Sequence, residues 1–72
     1  MKQFLASSIV NGNEIQLVKV NNWYFIYWGS PDRPSSIKKL VTPSGRNPSP
    51  SSAHKQFLQA VKASQYLKFN KL

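Results

Sequence analysis

The sequence predicts an α+β fold: a small antiparallel β-meander of three to four strands, covered on one face by a C-terminal helix. Three observations predict this β-β-β-(β)-α order. Strand-like runs occupy most of residues 2–41, short Asn/Gly segments separate them, and after residue 52 the apolar period becomes helical. The 72 residues are predicted to form one domain, and a chain this short buries only about 60% of the surface that its unfolded form exposes.

The N-terminal part of the chain is rich in strand-forming residues. Strands are predicted at residues 2–10, 14–20 and 23–28. The segment Asn-Gly-Asn at 11–13 indicates a hairpin, because Asn and Gly tolerate the positive φ of tight turns. Asn-Asn at 21–22 is a second candidate two-residue turn. The run WYFIYW that follows has the highest β propensity in the chain.

The rest of the chain is predicted to be a loop, a fourth strand, a connector and a helix. Residues 29–36 contain a glycine and two prolines, which break a regular ladder. Residues 37–41, IKKLV, follow as a strand, and the Pro/Ser-rich connector at 42–52 is stiff rather than a domain linker. The helix is predicted over about residues 50–66, because Ser49 can cap it and a proline suits its first position.

The predicted helix is amphipathic. One face carries apolar or small side chains: Ala53, Phe57, Ala60, Val61 and Ser64, with Leu58 beside them. Phe57, Leu58 and Val61 are expected to cover the sheet. Lys68 and Lys71 are placed beyond the last turn, where a cation suits the carbonyl end of the helix dipole.

A two-residue turn at 21–22 would divide the aromatic run into two rows, because side chains alternate between the faces of a strand. The row expected to face the helix is Tyr24, Ile26 and Trp28, beside Ile15 and Leu17. The row expected to face away is Trp23, Phe25 and Tyr27, beside Gln16 and Val18. The face of the first strand stays open, since a three-residue loop at 11–13 would reverse it relative to a two-residue loop.

The row that faces away from the helix needs a second explanation, because one helix covers one face of a sheet. Three alternatives remain open. The N-terminal segment or the connector folds over the row. The row forms a dimer or partner-protein surface. Or it binds nucleic acid, with the aromatic rings stacked on bases and lysines beside them.

The charge of the chain favours a polyanionic partner. Ten Lys and Arg residues face only Glu14 and Asp32, which gives a formal net charge of +8. The expected partner is nucleic acid, with DNA favoured. A homodimer or an acidic protein partner is the alternative, and neither a membrane nor a small-molecule substrate is expected.

The candidate nucleic-acid-binding residues combine the uncovered row with the basic positions near it. They are Gln16, Lys19, Trp23, Phe25, Tyr27, Arg33, Lys38, Lys39 and Arg46. Lys38 and Lys39 are adjacent in a strand, so they should point to opposite faces. Phosphate contacts would supply affinity that depends strongly on salt.

The chain is predicted to be a non-enzyme without a cofactor or a metal site. Acid–base catalysis needs two titratable groups brought together, but Glu14, Asp32 and His54 lie in three separate segments. A metal site would need nearly all of them at once. The absence of cysteine fits a reducing compartment, so a cytoplasmic location is expected. Residues 1–10 are interpreted as a strand rather than a secretion signal, because polar residues follow at once.

Three segments carry a family resemblance: LVKVNNWYFIYW, IKKLVTPSG and SSAHKQFLQAVKASQYL. Together, over roughly residues 17–67, they resemble the arm-type DNA-binding domain of tyrosine recombinases (integrases). The matching positions are Asn21-Asn22, Trp23-Tyr24, Lys38-Lys39 and Ala60 with Ala63. The resemblance implies a three-stranded sheet with a C-terminal helix, in which the sheet enters the DNA major groove. The reading residues that it implies are Gln16, Trp23, Phe25, Lys38 and Lys39.

Overall fold

Four strands and one helix make up the described part of the chain. The computed structural model describes the backbone of residues 1–70 and the side chains of residues 1–65. The elements are β1 (Lys2–Val10), β2 (Asn13–Val20), β3 (Trp23–Gly29), β4 (Pro34–Lys39) and α1 (Pro50–Asn70). The strands form an antiparallel sheet in the order β1-β2-β3-β4, and α1 packs on one face of it. The predicted α+β fold is confirmed.

The turn between β2 and β3 decides which side chains share a face. Asn21 and Asn22 have φ angles of 49° and 72°. Positive φ at both central residues is typical of the type I′ turn, whose twist matches that of the flanking strands. The turn leaves Val20 opposite Trp23 and, further along, Ile15 opposite Trp28. The register expected from a two-residue turn is therefore confirmed.

The turn between β1 and β2 also has two residues. Asn11 and Gly12 have φ angles of 54° and 83°, and Val10 pairs with Asn13 across the turn. β2 therefore begins at Asn13, one position earlier than predicted. This pairing settles the orientation of the C-terminal half of β1, which the sequence left open, and it turns Val10 toward α1.

A β-bulge reorients the first residues of β1. Phe4 and Ala6 pair with successive residues of β2, so Leu5 is left without a partner. One extra residue reverses the faces of every position on its N-terminal side. Phe4 and Lys2 therefore lie on the face away from α1, whereas an unbroken ladder would place both of them beneath the helix.

The hydrophobic core lies between the sheet and α1. Its buried members are Val10, Ile15, Leu17, Tyr24, Ile26, Leu40, Ala53 and Phe57. Trp28 is partly buried against them, and its Nε1–H donates to Ser64 Oγ at 3.4 Å. The row expected to face the helix does so.

α1 begins where the sequence predicts and continues further. The Ser52 N–H donates to Ser49 Oγ at 3.3 Å, so Ser49 caps the helix. The helix continues to Asn70, so Lys68 lies within it rather than beyond it, and Lys71 lies outside the described residues.

The expectation that Leu58 covers the sheet is wrong. Its side chain is 52% exposed, whereas that of its neighbour Phe57 is 3% exposed. Successive residues of a helix are rotated by about 100°, so the position after a central core residue already faces outward.

β4 begins and ends earlier than the predicted 37–41. The Arg33 N–H donates to Ser30 O at 3.1 Å, which closes a short turn and lets pairing resume at Pro34. Proline is tolerated as the first residue of an edge strand, because its missing N–H need not face a neighbour. The Leu40 N–H still donates to Tyr24 O at 2.8 Å, but its side chain enters the core and the chain leaves the sheet.

Candidate nucleic-acid interface

The face of the sheet opposite α1, here called the open face, combines aromatic and basic side chains. The registers place on it Lys2, Phe4, Ser7, Ile9, Glu14, Gln16, Val18, Val20, Trp23, Phe25, Tyr27, Ile37 and Lys39. The N-terminal segment does not fold over this face but extends the sheet as β1. The connector runs from Leu40 to α1. Leu40 and α1 both lie on the other face of the sheet.

Tyr27 is covered by side chains of β1. The Phe4 ring meets it edge to face, with centroids 6.5 Å apart and an interplanar angle of 86°. The Lys2 Nζ lies 5.4 Å from the centroid of the same ring. Both geometries are favourable for an aromatic ring, and Tyr27 is consequently buried.

Trp23 is covered by a side chain of β4. The Lys39 Nζ lies 3.7 Å from the centroid of the indole, well inside cation–π range. Trp23 and its neighbour in the row, Phe25, are both half-buried. A lysine carries a flexible four-carbon stem, so this cover can move aside without any change in the sheet.

Gln16 lies on the open face but is only 2% exposed. Its Nε2–H donates to Gly29 O at 3.2 Å, and its Oε1 is buried with no hydrogen-bond partner among the described residues. The sequence suggested Gln16 as a side chain that reads bases. In the structure its amide is not accessible to a ligand.

Two of the candidate lysines lie on the other face of the sheet. The Lys19 Nζ is 5.8 Å from the centroid of Tyr24, on the helix side. Lys38 pairs with Ile26 and lines a groove of about 360 Å³ between α1 and the β3–β4 edge. The structure thus separates Lys38 from its neighbour Lys39, which lies on the open face.

The two candidate arginines lie outside the strands. Arg33 is in the turn between β3 and β4, directly after Asp32. Arg46 is in the connector, where its carbonyl accepts from the Thr42 N–H at 2.8 Å. The next residue, Asn47, donates its side-chain amide to Asn22 O, so Arg46 lies beside the β2–β3 turn.

The charges are unequally divided between the two ends of the sheet. At the end with the β2–β3 turn, here called the basic end, lie five positive groups: the Met1 ammonium, Lys2, Lys19, Lys39 and Arg46. Glu14 and Asp32 lie at the opposite end, beside the other two turns. A polyanion approaching the open face is therefore attracted toward the basic end.

The sequence did not indicate Lys2 and Phe4 as candidate site residues, although both lie on the open face. The bulge at Leu5 places them there, and only one sequence feature points to it. Phe4 and Leu5 are consecutive large apolar residues, so they cannot both satisfy a strict alternation with one buried face.

Groups for acid–base or metal chemistry are dispersed. Glu14 lies in β2, Asp32 in a turn and His54 in α1. Among the described residues, no three His, Cys, Asp or Glu side chains come together to hold a metal ion. No helix within residues 1–70 is long and apolar enough to cross a membrane.

Comparison with protein-family models, curated proteins and solved structures finds no match for this chain.

Proposed function

We propose that the protein binds nucleic acid, DNA in preference to RNA, through the open face. The observation that carries the proposal is the pairing of Lys39 with Trp23 and of Lys2 with Tyr27 on a face that α1 leaves uncovered. Aromatic rings that stack on bases, beside cations that meet phosphates, are the usual means by which a sheet binds nucleic acid. The net charge of +8 supplies the long-range attraction.

The groups of the basic end that lie on or beside the open face take the phosphate contacts in this proposal. Lys39 and Lys2 lie on the open face itself, and Arg46 lies beside its edge. The rings of Trp23 and Phe25, which are half-buried, contact the bases. Gln16 and Tyr27 support the surface from beneath, and Lys19, Lys38 and Arg33 contribute to long-range attraction only.

The preference for DNA rests on the resemblance of residues 17–67 to the arm-type domain of integrases. The proposal describes a non-enzymatic binding protein, because Glu14, Asp32 and His54 lie in separate elements. It includes a cytoplasmic location, which the absence of cysteine favours.

Lys38 and Lys39 offer a matched test of this function. Lys39→Gln and Lys38→Gln remove the same charge from adjacent residues on opposite faces of β4. We expect Lys39→Gln to weaken DNA binding. The negative slope of log K against log[salt] should become shallower by about 1, as for one lost phosphate contact. Lys38→Gln should leave the slope nearly unchanged. Fluorescence anisotropy with a labelled oligonucleotide, titrated over a range of salt concentrations, measures both quantities.

The proposal fails if the protein binds neither DNA nor RNA at low salt. It also fails if affinity does not change with salt, because phosphate contacts release counterions and must produce a slope. Equal losses of affinity in the two lysine variants would mean that net charge alone determines binding. The open face would then not be the binding surface.

A second candidate function is supported by the exposed apolar residues of the open face. Ile9 is 71% exposed and Ile37 is 55% exposed, and neither serves a phosphate contact. Such residues suit docking on a partner protein, and the charge of +8 favours an acidic one over a second copy of this chain. Sedimentation velocity tests the homodimer directly. A monomer at all concentrations, even at high salt where self-repulsion is screened, would eliminate it.

A further inference from the structure

We infer that the ligand of the open face is a single-stranded nucleic acid rather than a duplex. The inference rests on the proposed function and specifies the form of its ligand. The arm-type resemblance, on which the preference for DNA rests, implies instead that a sheet inserts into the major groove of a duplex, and the inference departs from the resemblance in this respect only. The two possibilities make different demands on the width, the ring exposure and the charge of the open face.

The sheet is too wide to enter a duplex groove face-on. Strands are spaced by about 4.8 Å, so the outer strands of four lie about 14 Å apart before their side chains are added. All four strands contribute side chains to the open face. The major groove is about 12 Å wide and admits a helix or a two-stranded ribbon. The open face can therefore present its centre only to a ligand that lies flat on it.

The exposed rings suit bases that are not stacked on one another. Phe4 is 52% exposed and contacts the row of β3 through Tyr27, while Trp23 and Phe25 are half-buried. Residues on one face of a strand are about 6.7 Å apart, whereas bases in a duplex rise by about 3.4 Å. Successive side chains can meet successive bases only if the bases are separated. A single strand allows this, and a duplex does not.

The charge of the open face fits a small number of phosphate contacts. Its cationic side chains are Lys2 and Lys39, and Glu14 opposes them at the far end. Both ammonium groups lie over aromatic rings, at 5.4 Å from Tyr27 and 3.7 Å from Trp23. A base that stacks on Trp23 replaces the Lys39 ammonium, which is then free to contact the adjacent phosphate. The Lys39 ammonium thus exchanges the electron-rich face of the indole for a phosphate oxygen.

The experiment measures the affinity of the wild type and of variants for three ligands. They are a short homopyrimidine single-stranded DNA, the single-stranded RNA of the same sequence, and the DNA strand annealed to its complement. We expect both single strands to bind more tightly than the duplex. Phe4→Ala should weaken single-strand binding roughly 5- to 150-fold, the effect of losing one base–aromatic stack. Phe4→Tyr retains the ring and should retain most of the affinity. Leu58→Ala is the control: Leu58 is also 52% exposed, but it lies on α1, and its loss should leave affinity unchanged.

Each outcome decides the inference. Tighter binding of single strands together with a specific loss in Phe4→Ala supports it, and single-stranded DNA is expected to bind more tightly than single-stranded RNA. Equal or tighter binding of the duplex, or unchanged affinity in Phe4→Ala, overturns it while the proposed function stands. Absence of binding to all three ligands overturns the proposed function itself. Circular dichroism of each variant establishes that it is folded before its affinity is compared.

Discussion

The two faces of β3 use similar residues for different purposes. Toward α1 the strand presents Tyr24, Ile26 and Trp28, and toward the open face it presents Trp23, Phe25 and Tyr27. The first row is covered by a helix that is anchored by a hydrogen bond from Trp28 to Ser64. The second row is covered by side chains of β1 and β4, and two of these side chains are lysines. A helix is a permanent part of the fold, whereas a lysine ammonium can be displaced.

The largest effect is expected from removing the helix side chain that covers the sheet. Phe57 is 3% exposed and lies in the core. Phe57→Ala should reduce the free energy of unfolding by about 3–5 kcal/mol, because it leaves a cavity between α1 and the sheet. A domain of this size has only about 4–10 kcal/mol in total, so the variant should be largely unfolded at modest urea concentrations. Urea titration followed by far-UV circular dichroism measures the loss.

Leu58→Ala provides the control on the same helix. Its side chain is 52% exposed, so its removal should change the free energy of unfolding by less than about 1 kcal/mol. Comparable losses in the two variants would show that α1 is rotated about its axis, with Leu58 as well as Phe57 turned toward the sheet.

The two tryptophans of β3 compare the faces directly. Trp28→Ala should cost about 3 kcal/mol, because Trp28 packs against the core and is hydrogen-bonded to Ser64. Trp23→Ala should cost about 1–2 kcal/mol, since the ring is half-buried and loses mainly its contact with Lys39. Under conditions in which both variants are folded, Trp23→Ala should weaken nucleic-acid binding more than Trp28→Ala does. Urea unfolding by circular dichroism and anisotropy titration test the pair, and equal stability losses would contradict the division between faces.

Much of this division could be predicted from residues 11–28. Asn-Gly and Asn-Asn pairs adopt the positive φ of two-residue turns, and a two-residue turn leaves one register for β2 and β3. The change from period two to a helical period, after Ser49 and Pro50, located α1. These features are local, so they can be recognised in the sequence without knowledge of the tertiary structure.

The features that could not be predicted depend on contacts between distant residues. The bulge at Leu5 places Lys2 and Phe4 on the open face, and it depends on how β1 pairs with β2 rather than on a turn motif. Gln16 is buried, and its amide donates to the carbonyl of Gly29, 13 positions further along the chain. The candidate site therefore gains Lys2 and Phe4, because the sequence did not orient β1, and it loses Gln16, whose burial the sequence did not indicate.

The β2–β3 turn maintains the division between the faces, and its second residue offers a smaller test. Asn22 has a φ of 72°, a conformation that costs most L-residues about 1–2 kcal/mol. Asn22→Ala should therefore destabilise the protein by about 1 kcal/mol, and Asn22→Gly should stabilise it slightly. The Asn22 carbonyl that accepts from the Asn47 side chain is retained in both variants. Urea unfolding of the two variants tests the turn, and equal stability would mean that the register does not depend on it.

The smallest effect is expected at the centre of the open face, where Gln16 is buried with its amide nitrogen hydrogen-bonded and its amide oxygen without a partner among the described residues. Gln16→Met loses the hydrogen bond to Gly29 O but also removes a buried Oε1 that has no partner among the described residues. These changes oppose each other, so the free energy of unfolding should change by less than about 1 kcal/mol. Binding should be unaffected, because only 2% of the residue is exposed. A folded variant that no longer binds nucleic acid would show that Gln16 turns outward to meet the ligand.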